Sequence, residues 1–406
     1  MKIAVIGQGY VGLTISIGAL SAGHHVIGVD HSKDLINSLL AGKSHIEGIS
    51  DKQIASGISI GKYLPTNKYA DISDCELVVI AVPTPLDVSG KPDLEMLESA
   101  SRSVGEVLVK RTLVISESTS YPGTVREIIR PLVEKNSPLN HMYAISPERV
   151  DPGNKTFGTK NTPRIVGGMT DEARNKAIEF YSTFCDQIVP VSSLEVAESA
   201  KLFENTFRFI NIGLVNEFAQ VMGAMGIPVD EVLSAAATKP YGFMAFHPNV
   251  GIGGHCIPVD PMYLQQRAKE FGIESKYIAV SEKINHEMPR FIVNRLKIEL
   301  GGLKGKRIQV AGVSYKANIA DTRETPAVDV VKLLESEGAE VTWHDPLVLS
   351  WNGSNSSPLN SSVDAGLVLV AHDVFDPTDW GSIPVFSINR HPKFSWTPLI
   401  TVKSKY

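Results

Sequence analysis

The sequence has little cysteine, little net charge and no long apolar run. Only three cysteines, Cys75, Cys185 and Cys256, occur in 406 residues, too few and too far apart for a disulfide framework or a zinc site. They predict a reducing, cytoplasmic environment. The net charge of -5 gives no electrostatic reason to expect nucleic acid or an anionic membrane surface as a partner. No apolar run reaches the roughly 18 residues of a membrane span, and the start MKIAVIGQG lacks a signal-peptide pattern.

The first 30 residues follow a strand-turn-helix-strand order. The apolar run KIAVIG precedes the turn GQGYVG, a helical pattern continues to Ala22, and the strand HHVIGVD ends at Asp30. Further strand patterns follow with helices between them, in CELVVIAVPTP, TLVISEST, MYAISPERV and RIVGG. Such alternation is typical of a doubly wound parallel sheet, so we expect one Rossmann-like domain over residues 1–190.

A proline-free segment of about 30 residues begins near Ser192 or Ser193, either of which could cap a helix. Helices of that length often join domains or form dimer seams, so a homodimer is expected. A second helical stretch, roughly 275 to 300, completes a central helical domain over residues 191–300.

The strand and helix rhythm returns after residue 300 without the full glycine pattern. KRIQVAGVSYK and DAGLVLVAHD predict strands, and TPAVDVVKLLESEGAEVTWHDP predicts a helix, a turn at Gly338 and another strand. The Ser/Asn-rich segment LSWNGSNSSPLNSSVD predicts a loop. The fold class is therefore α/β, with two Rossmann-like domains joined by a helical one, and the second such domain covers residues 301–406.

The glycine turn predicts a dinucleotide site. Gly7 permits the turn, Gly9 lets the backbone approach a pyrophosphate, and Gly12 allows close helix packing. Asp30 ends the next strand, where a ribose-binding carboxylate belongs, and its charge repels a 2′-phosphate. NAD is therefore favoured over NADP; the alternative is a glycine turn with no ligand.

The loop GIGGHCIPVDP, residues 251–261, holds Cys256. We expect its glycines to let backbone amides approach a ligand. On the motif alone, Cys256 is either a reactive thiol or a small buried hydrophobe, whereas Cys75 and Cys185 occupy packing positions. With NAD, a reactive thiol could convert an alcohol to an acid through a thiohemiacetal and a thioester, and no step would need a metal.

At this point the sequence resembles the UDP-glucose/GDP-mannose dehydrogenase family, the nucleotide-sugar 6-dehydrogenases. The resemblance covers nearly the whole chain and is carried by GQGYVG, VVIAVPTP, ESTSYPGT, SPERVDPGN, AKLFENTFRFINIGLVNE, GIGGHCIPVDP and GVSYKANIADTRETP. SPERVDPGN and KPYGFMAFHPNVGIGGHCIPVDP are most similar to the branch that acts on UDP-N-acetylhexosamines. UDP-glucose enzymes tend to carry a lysine where this chain has Val259.

The resemblance implies the catalytic residues. Cys256 matches the nucleophile, and Lys201 and Asn205 match the helix pair that polarises the reacting oxygen. Asp260 matches a carboxylate near the water or proton relay, and Glu148 a candidate base for thioester hydrolysis. Thr119 matches the threonine that anchors the water.

The resemblance also implies the binding residues. Those for NAD are Gly7, Gly9, Tyr10, Val11, Gly12, Asp30, Thr84, Thr119 and Arg323. Those for the UDP-sugar are Glu148, Arg149, Val150, Lys201, Asn205, Phe243, Gly253, Gly254, Lys239 and Lys316. Phe243, Met244 and Phe246 are expected to line the sugar pocket, although core packing explains them equally well.

Two family features have no clear counterpart here. The second glutamate of UDP-glucose enzymes falls at Asp151 or Pro152, so that role is unassigned. The arginine by which family members clamp the substrate from a neighbouring subunit has no obvious counterpart, and Lys239 is the nearest basic residue. The expected function is oxidation at C6 of UDP-GlcNAc or UDP-ManNAc. The alternatives are a UDP-glucose 6-dehydrogenase, a two-electron β-hydroxyacid dehydrogenase, which would lack Cys256 and the third domain, or a non-enzymatic sensor.

Overall fold

The structure is a computed structural model, and it describes residues 1–46, 48–151, 154 and 156–401. Residue contacts divide it into two compact units. Unit 1 comprises Met1–Glu204 with Met262–Phe271, and unit 2 comprises Asn205–Pro261 with the chain from Gly272 onward. Each unit is described separately below.

Unit 1 is built on one eight-stranded sheet. Its strands are β1 (Lys2–Ile6), β2 (His25–Val29), β3 (Tyr63–Thr66), β4 (Leu77–Ile80), β5 (Leu113–Ser116), β6 (Met142–Ile145), β7 (Arg164–Gly168) and β8 (Ile188–Pro190). Its helices are α1 (Tyr10–Ser21), α2 (Lys33–Leu40), α3 (Asp51–Ser59), α4 (Glu95–Val107), α5 (Arg130–Asn136) and α6 (Asp171–Tyr181). The strand order is β3-β2-β1-β4-β5-β6-β7-β8.

The core of unit 1 lies on both faces of this sheet. Ile3 and Val5 point to the face that packs against α1 and α6, and Ala4 and Ile6 point to the face that packs against α4 and α5. The strands β4, β5 and β6 are buried along their whole length, as expected for parallel strands covered on both sides.

One strand departs from the predicted alternation. β7 pairs antiparallel with β6, and the described residues between these strands form no helix. A parallel neighbour needs a crossover of about a dozen or more residues that is usually helical. The described residues of the connecting segment, which contains SPERV, form no such helix, and β7 runs beside β6 in the opposite direction.

Four helices follow in the middle of the chain: α7 (Leu194–Met225), α8 (Val229–Ala236), α9 (Asp260–Glu270) and α10 (Lys276–Leu300). The predicted long helix is confirmed, since α7 has 32 residues. The Ser193 hydroxyl accepts a hydrogen bond from the Val196 amide at 3.2 Å, which caps the helix as its sequence suggested. A left-handed Gly301 with φ 67° ends α10.

The carboxyl-terminal part of unit 2 contains a second parallel sheet, in the order β10-β9-β13-β14-β15. Its elements are β9 (Arg307–Ala311), α11 (Ala327–Ser336), β10 (Glu340–His344), β11 (Ser350–Trp351), β12 (Ser354–Asn355), β13 (Ala365–Val368), β14 (Val385–Ser387) and β15 (Thr397–Pro398). One hydrophobic core joins this sheet to α7, α8, α10 and α11. The predicted α/β class with two Rossmann-like sheets and a central helical part is confirmed.

The segment predicted as a loop after residue 348 contains a short hairpin. β11 and β12 pair antiparallel around Asn352 and Gly353, both with positive φ, which is the turn chemistry of tight hairpins. Trp351 is buried and meets Trp343 edge-on at 5.6 Å between ring centroids. The prediction of a loop was therefore wrong for these residues.

Candidate functional site

The turn between β1 and α1 depends on two glycines for its shape. Gly7 has φ +87°, and a Cβ on it would lie 2.4 Å from the Ala81 carbonyl oxygen. A Cβ on Gly12 would lie 1.8 Å from the Gly7 carbonyl oxygen. A Cβ on Gly9, by contrast, would meet no protein atom within 4 Å. The backbone at Gly9 therefore faces open space at the amino terminus of α1, where Tyr10 and Val11 form the first turn.

Asp30 lies beside this turn, directly after β2. One of its carboxylate oxygens accepts a hydrogen bond from the Gln8 amide at 2.8 Å, and the other accepts one from the Ser32 amide at 2.9 Å. The side chain is 10% exposed. Each carboxylate oxygen has two acceptor positions, so Asp30 can fix the turn and still accept from a ribose hydroxyl.

Thr84 and Thr119 follow β4 and β5, at the same edge of the sheet. The Thr84 hydroxyl donates to the Thr119 carbonyl oxygen at 2.7 Å. The strand order reverses between β1 and β4, and ligands of open α/β sheets bind at such a switch point. The structure thus brings Gly7, Gly9, Gly12, Asp30, Thr84 and Thr119 to the edge where a dinucleotide fits.

Glu148 follows β6 at this edge and is not the solvated surface charge that its sequence position allowed. One of its oxygens accepts the amides of Arg149 and Val150, each at 2.7 Å, and the other accepts from Arg164 Nη2 at 2.9 Å. Burial raises the pKa of Glu148, but Arg164 and the two amides outweigh it, with a smaller effect from Lys201, so the pKa is lowered. Glu148 is therefore ionised at neutral pH and lies within electrostatic range of Lys201.

Arg149 is held in place by its neighbours. It forms an ion pair with Glu204, with 2.6 Å between Nη2 and Oε1, and donates to the Pro163 carbonyl oxygen at 2.7 Å. Pro152, one of the two positions matched to the second family glutamate, lies outside the described residues.

Three residues of this region were missed from the sequence: Glu117, Arg164 and Tyr181. Arg164 is 4% exposed and contacts the Glu117 carboxylate, 2% exposed, at 2.6 Å. Tyr181 also donates to Glu117. Two of these residues could have been found from the sequence, because each is a charged residue at one end of an apolar strand pattern. Glu117 directly follows LVIS, and Arg164 is the first residue of RIVGG.

In unit 2, the glycines of the 251–256 loop face protein rather than open space. A Cβ on Gly253 would lie 2.6 Å from Tyr315 Cβ, and one on Gly254 would lie 2.8 Å from the Tyr315 ring. The Gly254 amide also donates to the Arg323 carbonyl oxygen at 3.0 Å. On this side of the loop, the glycines accommodate the segment that carries Tyr315 and Arg323, and their approach to a ligand stays a prediction.

Cys256 is exposed, which rules out the alternative of a small buried hydrophobe. Cys75 and Cys185 are buried, as their packing positions predicted. The pKa of Arg323 is raised, chiefly by hydrogen bonds to Asp321 and with a smaller contribution from Cys256, so the guanidinium lies within electrostatic range of the thiol. Burial, with Arg323 as the next cause, lowers the pKa of the neighbouring His255, so its imidazole is neutral at pH 7.

Asn205 and Asp260 form a buried pair in unit 2. Asn205 Nδ2 donates to Asp260 Oδ2 at 2.5 Å, and the two residues are 9% and 4% exposed. The Asp260 amide donates to the Cys256 carbonyl oxygen at 2.9 Å, which links the aspartate to the cysteine loop. Lys201 lies one turn before Asn205 on α7, so the helix presents both side chains on one face.

The remaining predicted substrate residues belong to unit 2. Lys239 is exposed, with Nζ 5.1 Å from the centre of the Tyr241 ring. Phe243 and Met244 are 41% and 64% exposed, so they are not core residues. Phe246 is half-buried and packs edge-on against Phe207. Lys316 is half-buried after β9, where its carbonyl oxygen accepts from the Ser314 hydroxyl at 2.9 Å.

A parallel sheet, a glycine turn at a helix amino terminus and an acidic residue after the second strand define a dinucleotide-binding α/β protein. Models of one family match three parts of the chain: the NAD binding domain over residues 1–185, the central domain over 195–287 and the UDP binding domain over 309–393. The chain belongs to the UDP-glucose/GDP-mannose dehydrogenase family and is an NAD-dependent oxidoreductase. The family that the sequence resembled is therefore confirmed, and so is NAD as the cofactor.

The chain is similar over most of its length to individual members of this family. The chain is 36% identical to the UDP-N-acetyl-D-mannosamine dehydrogenase of Pyrococcus horikoshii over 394 residues, 94% of this chain and 92% of that protein. It is 34% identical to the UDP-N-acetyl-D-glucosamine 6-dehydrogenase of Pseudomonas aeruginosa over 391 residues, 92% and 91% of the two chains. The solved structure of the Pyrococcus horikoshii UDP-D-ManNAc dehydrogenase matches with a TM-score of 0.89 at 32% identity and covers 98% of this chain and 99% of its own.

The described residues contain neither a cluster of metal ligands nor a membrane-spanning helix. No three or more His, Cys, Asp or Glu side chains are grouped as a metal site would require. None of the helices combines the length and apolar character that crossing a membrane requires.

Proposed function

We propose that this protein oxidises the C6 hydroxyl of a UDP-sugar to a carboxylate, with UDP-GlcNAc or UDP-ManNAc as its substrate. Membership of the family and the two N-acetylhexosamine relatives support this substrate class. The single observation that carries the proposed chemistry is an exposed Cys256 within electrostatic range of the Arg323 guanidinium, in a chain whose other cysteines are buried.

The reaction removes four electrons in two oxidations, and NAD, when bound, supplies the electron acceptor for both. Lys201 and Asn205 hold the C6 oxygen while it loses its proton in the first oxidation to the aldehyde. Cys256 then adds to the aldehyde carbon, which forms a C–S bond and gives a thiohemiacetal. The second oxidation converts this adduct to a thioester on Cys256.

Hydrolysis of the thioester restores the thiol. Water held by Thr119 gives a proton to Glu148 while its oxygen attacks the carbonyl carbon, and the C–S bond breaks to release the acid and the Cys256 thiolate. The ionised state of Glu148 and the buried Asn205–Asp260 pair support these roles. Asp260 orients Asn205 and belongs to the proton relay.

The proposed cofactor residues are Gly7, Gly9, Tyr10, Val11, Gly12, Asp30, Thr84, Thr119 and Arg323. The proposed substrate residues, besides Glu148, Lys201 and Asn205, are Arg149, Val150, Lys239, Phe243, Gly253, Gly254 and Lys316. The exposure of Phe243 and Lys239 supports a binding role for them. We further propose three domains at 1–190, 191–300 and 301–406, a homodimer, a cytoplasmic location and a role in polysaccharide synthesis.

The test is a panel of UDP- and GDP-sugars scored by NADH production and acid formation. We expect two NADH per sugar oxidised, with UDP-GlcNAc or UDP-ManNAc as the best substrate, and Cys256→Ser should form no acid. One NADH per sugar would indicate a two-electron dehydrogenase, and UDP-glucose as the best substrate would select the alternative enzyme of the same mechanism. Normal acid formation by Cys256→Ser would contradict the thioester route. Cys75→Ser, at a buried cysteine, is the matched control and should keep acid formation.

A further inference from the structure

One buried arginine in unit 1 is shared by two glutamates. Arg164 Nη1 donates to both Glu117 oxygens, at 2.6 and 2.8 Å, while Nη2 donates to Glu148 Oε2 at 2.9 Å. The side chains of Arg164 and Glu117 are 4% and 0% exposed, and that of Glu148 is 12% exposed. The same guanidinium group therefore connects the two carboxylates, and a change at Glu117 affects the group that holds Glu148.

The other groups that face this cluster come from three elements. Tyr181, at the end of α6, donates its hydroxyl to Glu117 Oε1, and its ring centre lies 4.7 Å from Arg164 Cζ. Cys185, just after α6, has its pKa raised by burial and interacts with Arg164 and both glutamates. Ser146 accepts from Arg164 Nη1 at 3.1 Å. Lys201, on α7, acts on Glu148.

The two glutamates differ in their proton affinity although they share one cation. Burial raises the pKa of Glu117 to about 7, against the opposing pull of Arg164. The pKa of Glu148 is lowered despite burial, because Arg164 and two backbone amides stabilise its charge. The charge of Glu148 raises the pKa of Glu117, and by reciprocity the charge of Glu117 makes Glu148 a stronger base.

We propose that Glu117 and Arg164 are positioning residues that orient Glu148 and set its strength as the base for thioester hydrolysis. The inference rests on the proposed role of Glu148. Arg164 fixes one Glu148 oxygen, the amides of Arg149 and Val150 fix the other, and three of the four acceptor positions are thereby filled. The position that remains, on Oε2, receives the proton of the attacking water.

Glu117 acts through Arg164 in this scheme. When Glu117 is ionised, the guanidinium divides its attraction between two carboxylates, and the second negative charge further favours a proton on Glu148. When Glu117 is neutral, Arg164 stabilises the Glu148 charge alone, and Glu148 becomes a weaker base. A variant that removes only the charge of Glu117 should therefore change the hydrolysis step and leave substrate binding unaltered.

The test uses Glu117→Gln, which keeps the shape and an acceptor for Tyr181. The rate of acid release is measured in single turnovers by chemical quench from pH 5 to 9, with KM and NADH yield from steady state. In the wild type, the rate should rise through about pH 7, because Glu117 ionises there and its charge makes Glu148 a stronger base. Glu117→Gln should lose this rise and keep the slower rate of the low-pH form, with an unchanged KM. A variant that is merely less stable would instead show a lower Tm and keep the rise, which would overturn the proposal.

Tyr181→Phe gives an independent result. Its hydroxyl lowers the pKa of Glu117, after burial and the charges of Arg164 and Glu148, so its removal should move the rise in rate to higher pH. If Glu117→Gln does not fold, Tyr181→Phe decides the question. The matched control is Glu172→Gln, an exposed carboxylate paired with Arg111, which should leave the rise in place. One NADH per sugar in the wild type would refute the proposed function, whereas two NADH with the wild-type pH profile in both variants would refute only this inference.

Discussion

The three glycines of the first turn make different contributions, and substitution can separate them. Gly9→Ala should leave the fold intact, because the added Cβ would meet no protein atom within 4 Å. It should weaken NAD binding by at least about ten-fold, because the methyl group would occupy the space through which the backbone approaches a pyrophosphate. NAD titration by calorimetry, together with Tm, measures both effects.

Gly12→Ala is the matched comparison. Its Cβ would lie 1.8 Å from a carbonyl oxygen, so this variant should lose stability as well as NAD affinity. If Gly9→Ala bound NAD as tightly as the wild type, the dinucleotide would not pass over Gly9, and the assignment of this turn would be wrong.

For single residues, the sequence predicted those whose role follows from a local sequence pattern. The buried Cys75 and Cys185 and the glycine turn with Asp30 followed from spacing and composition, whereas the motif alone left the state of Cys256 open. The Glu117–Arg164 contact could not be predicted in this way, because its partners are 47 residues apart and meet only where β5 ends and β7 begins. Long-range pairs of this kind depend on strand order, which local periodicity does not contain.

Among the elements, periodicity predicted α7, α10, β9, α11 and β10 well, since each has a clear apolar pattern and a capping residue or glycine at an end. It did not predict the direction of β7, which runs antiparallel to β6. It also failed at β11 and β12, where polar composition suggested a loop although Asn352 and Gly353 formed a tight turn that buries Trp351. The direction of a strand and the pairing of short strands depend on tertiary contacts, which local periodicity does not contain.

α7 holds the ESTSYPGT segment in place through one buried carboxylate. Glu198 accepts the amides of Gly123 at 2.6 Å and Val125 at 3.1 Å and is 2% exposed. Burial raises the pKa of Glu198 to about 7. The folded state therefore binds a proton more tightly than the unfolded chain, and the stability that this provides is complete below about pH 4.5 and is lost as pH rises through 7.

Glu198→Gln should therefore change stability in a pH-dependent way. At pH 5 the variant should have a lower Tm than the wild type, because an amide oxygen replaces two carboxylate acceptors. At pH 8 the gap should narrow or reverse, because only the wild type must then ionise a buried group. Thermal unfolding at both pH values measures the difference, and a gap that is constant with pH would contradict the assigned ionisation. Glu217→Gln, at an exposed carboxylate further along α7, is the control.

At the scale of the whole molecule, α7 has more apolar surface than a monomer would leave in water. Six of its large apolar side chains are at least 41% exposed, and their spacings of seven and four residues put them on one side of a 32-residue helix. They are Val196, Phe203, Phe207, Leu214, Val221 and Met225. Contiguous exposed apolar surface marks an interface, and this face is the basis for the proposed homodimer.

Leu214→Glu tests that assembly in solution. A carboxylate in the middle of this face would be buried unpaired in a dimer, so the dissociation constant should rise by about 100-fold or more. Sedimentation over a range of protein concentrations should show a dimer for the wild type and a monomer for the variant at low micromolar concentration. Leu349→Glu, at an exposed leucine outside α7, should stay dimeric. A wild type that sediments as a monomer would refute the dimer, and a Leu214→Glu dimer of undiminished affinity would move the interface away from this face of α7.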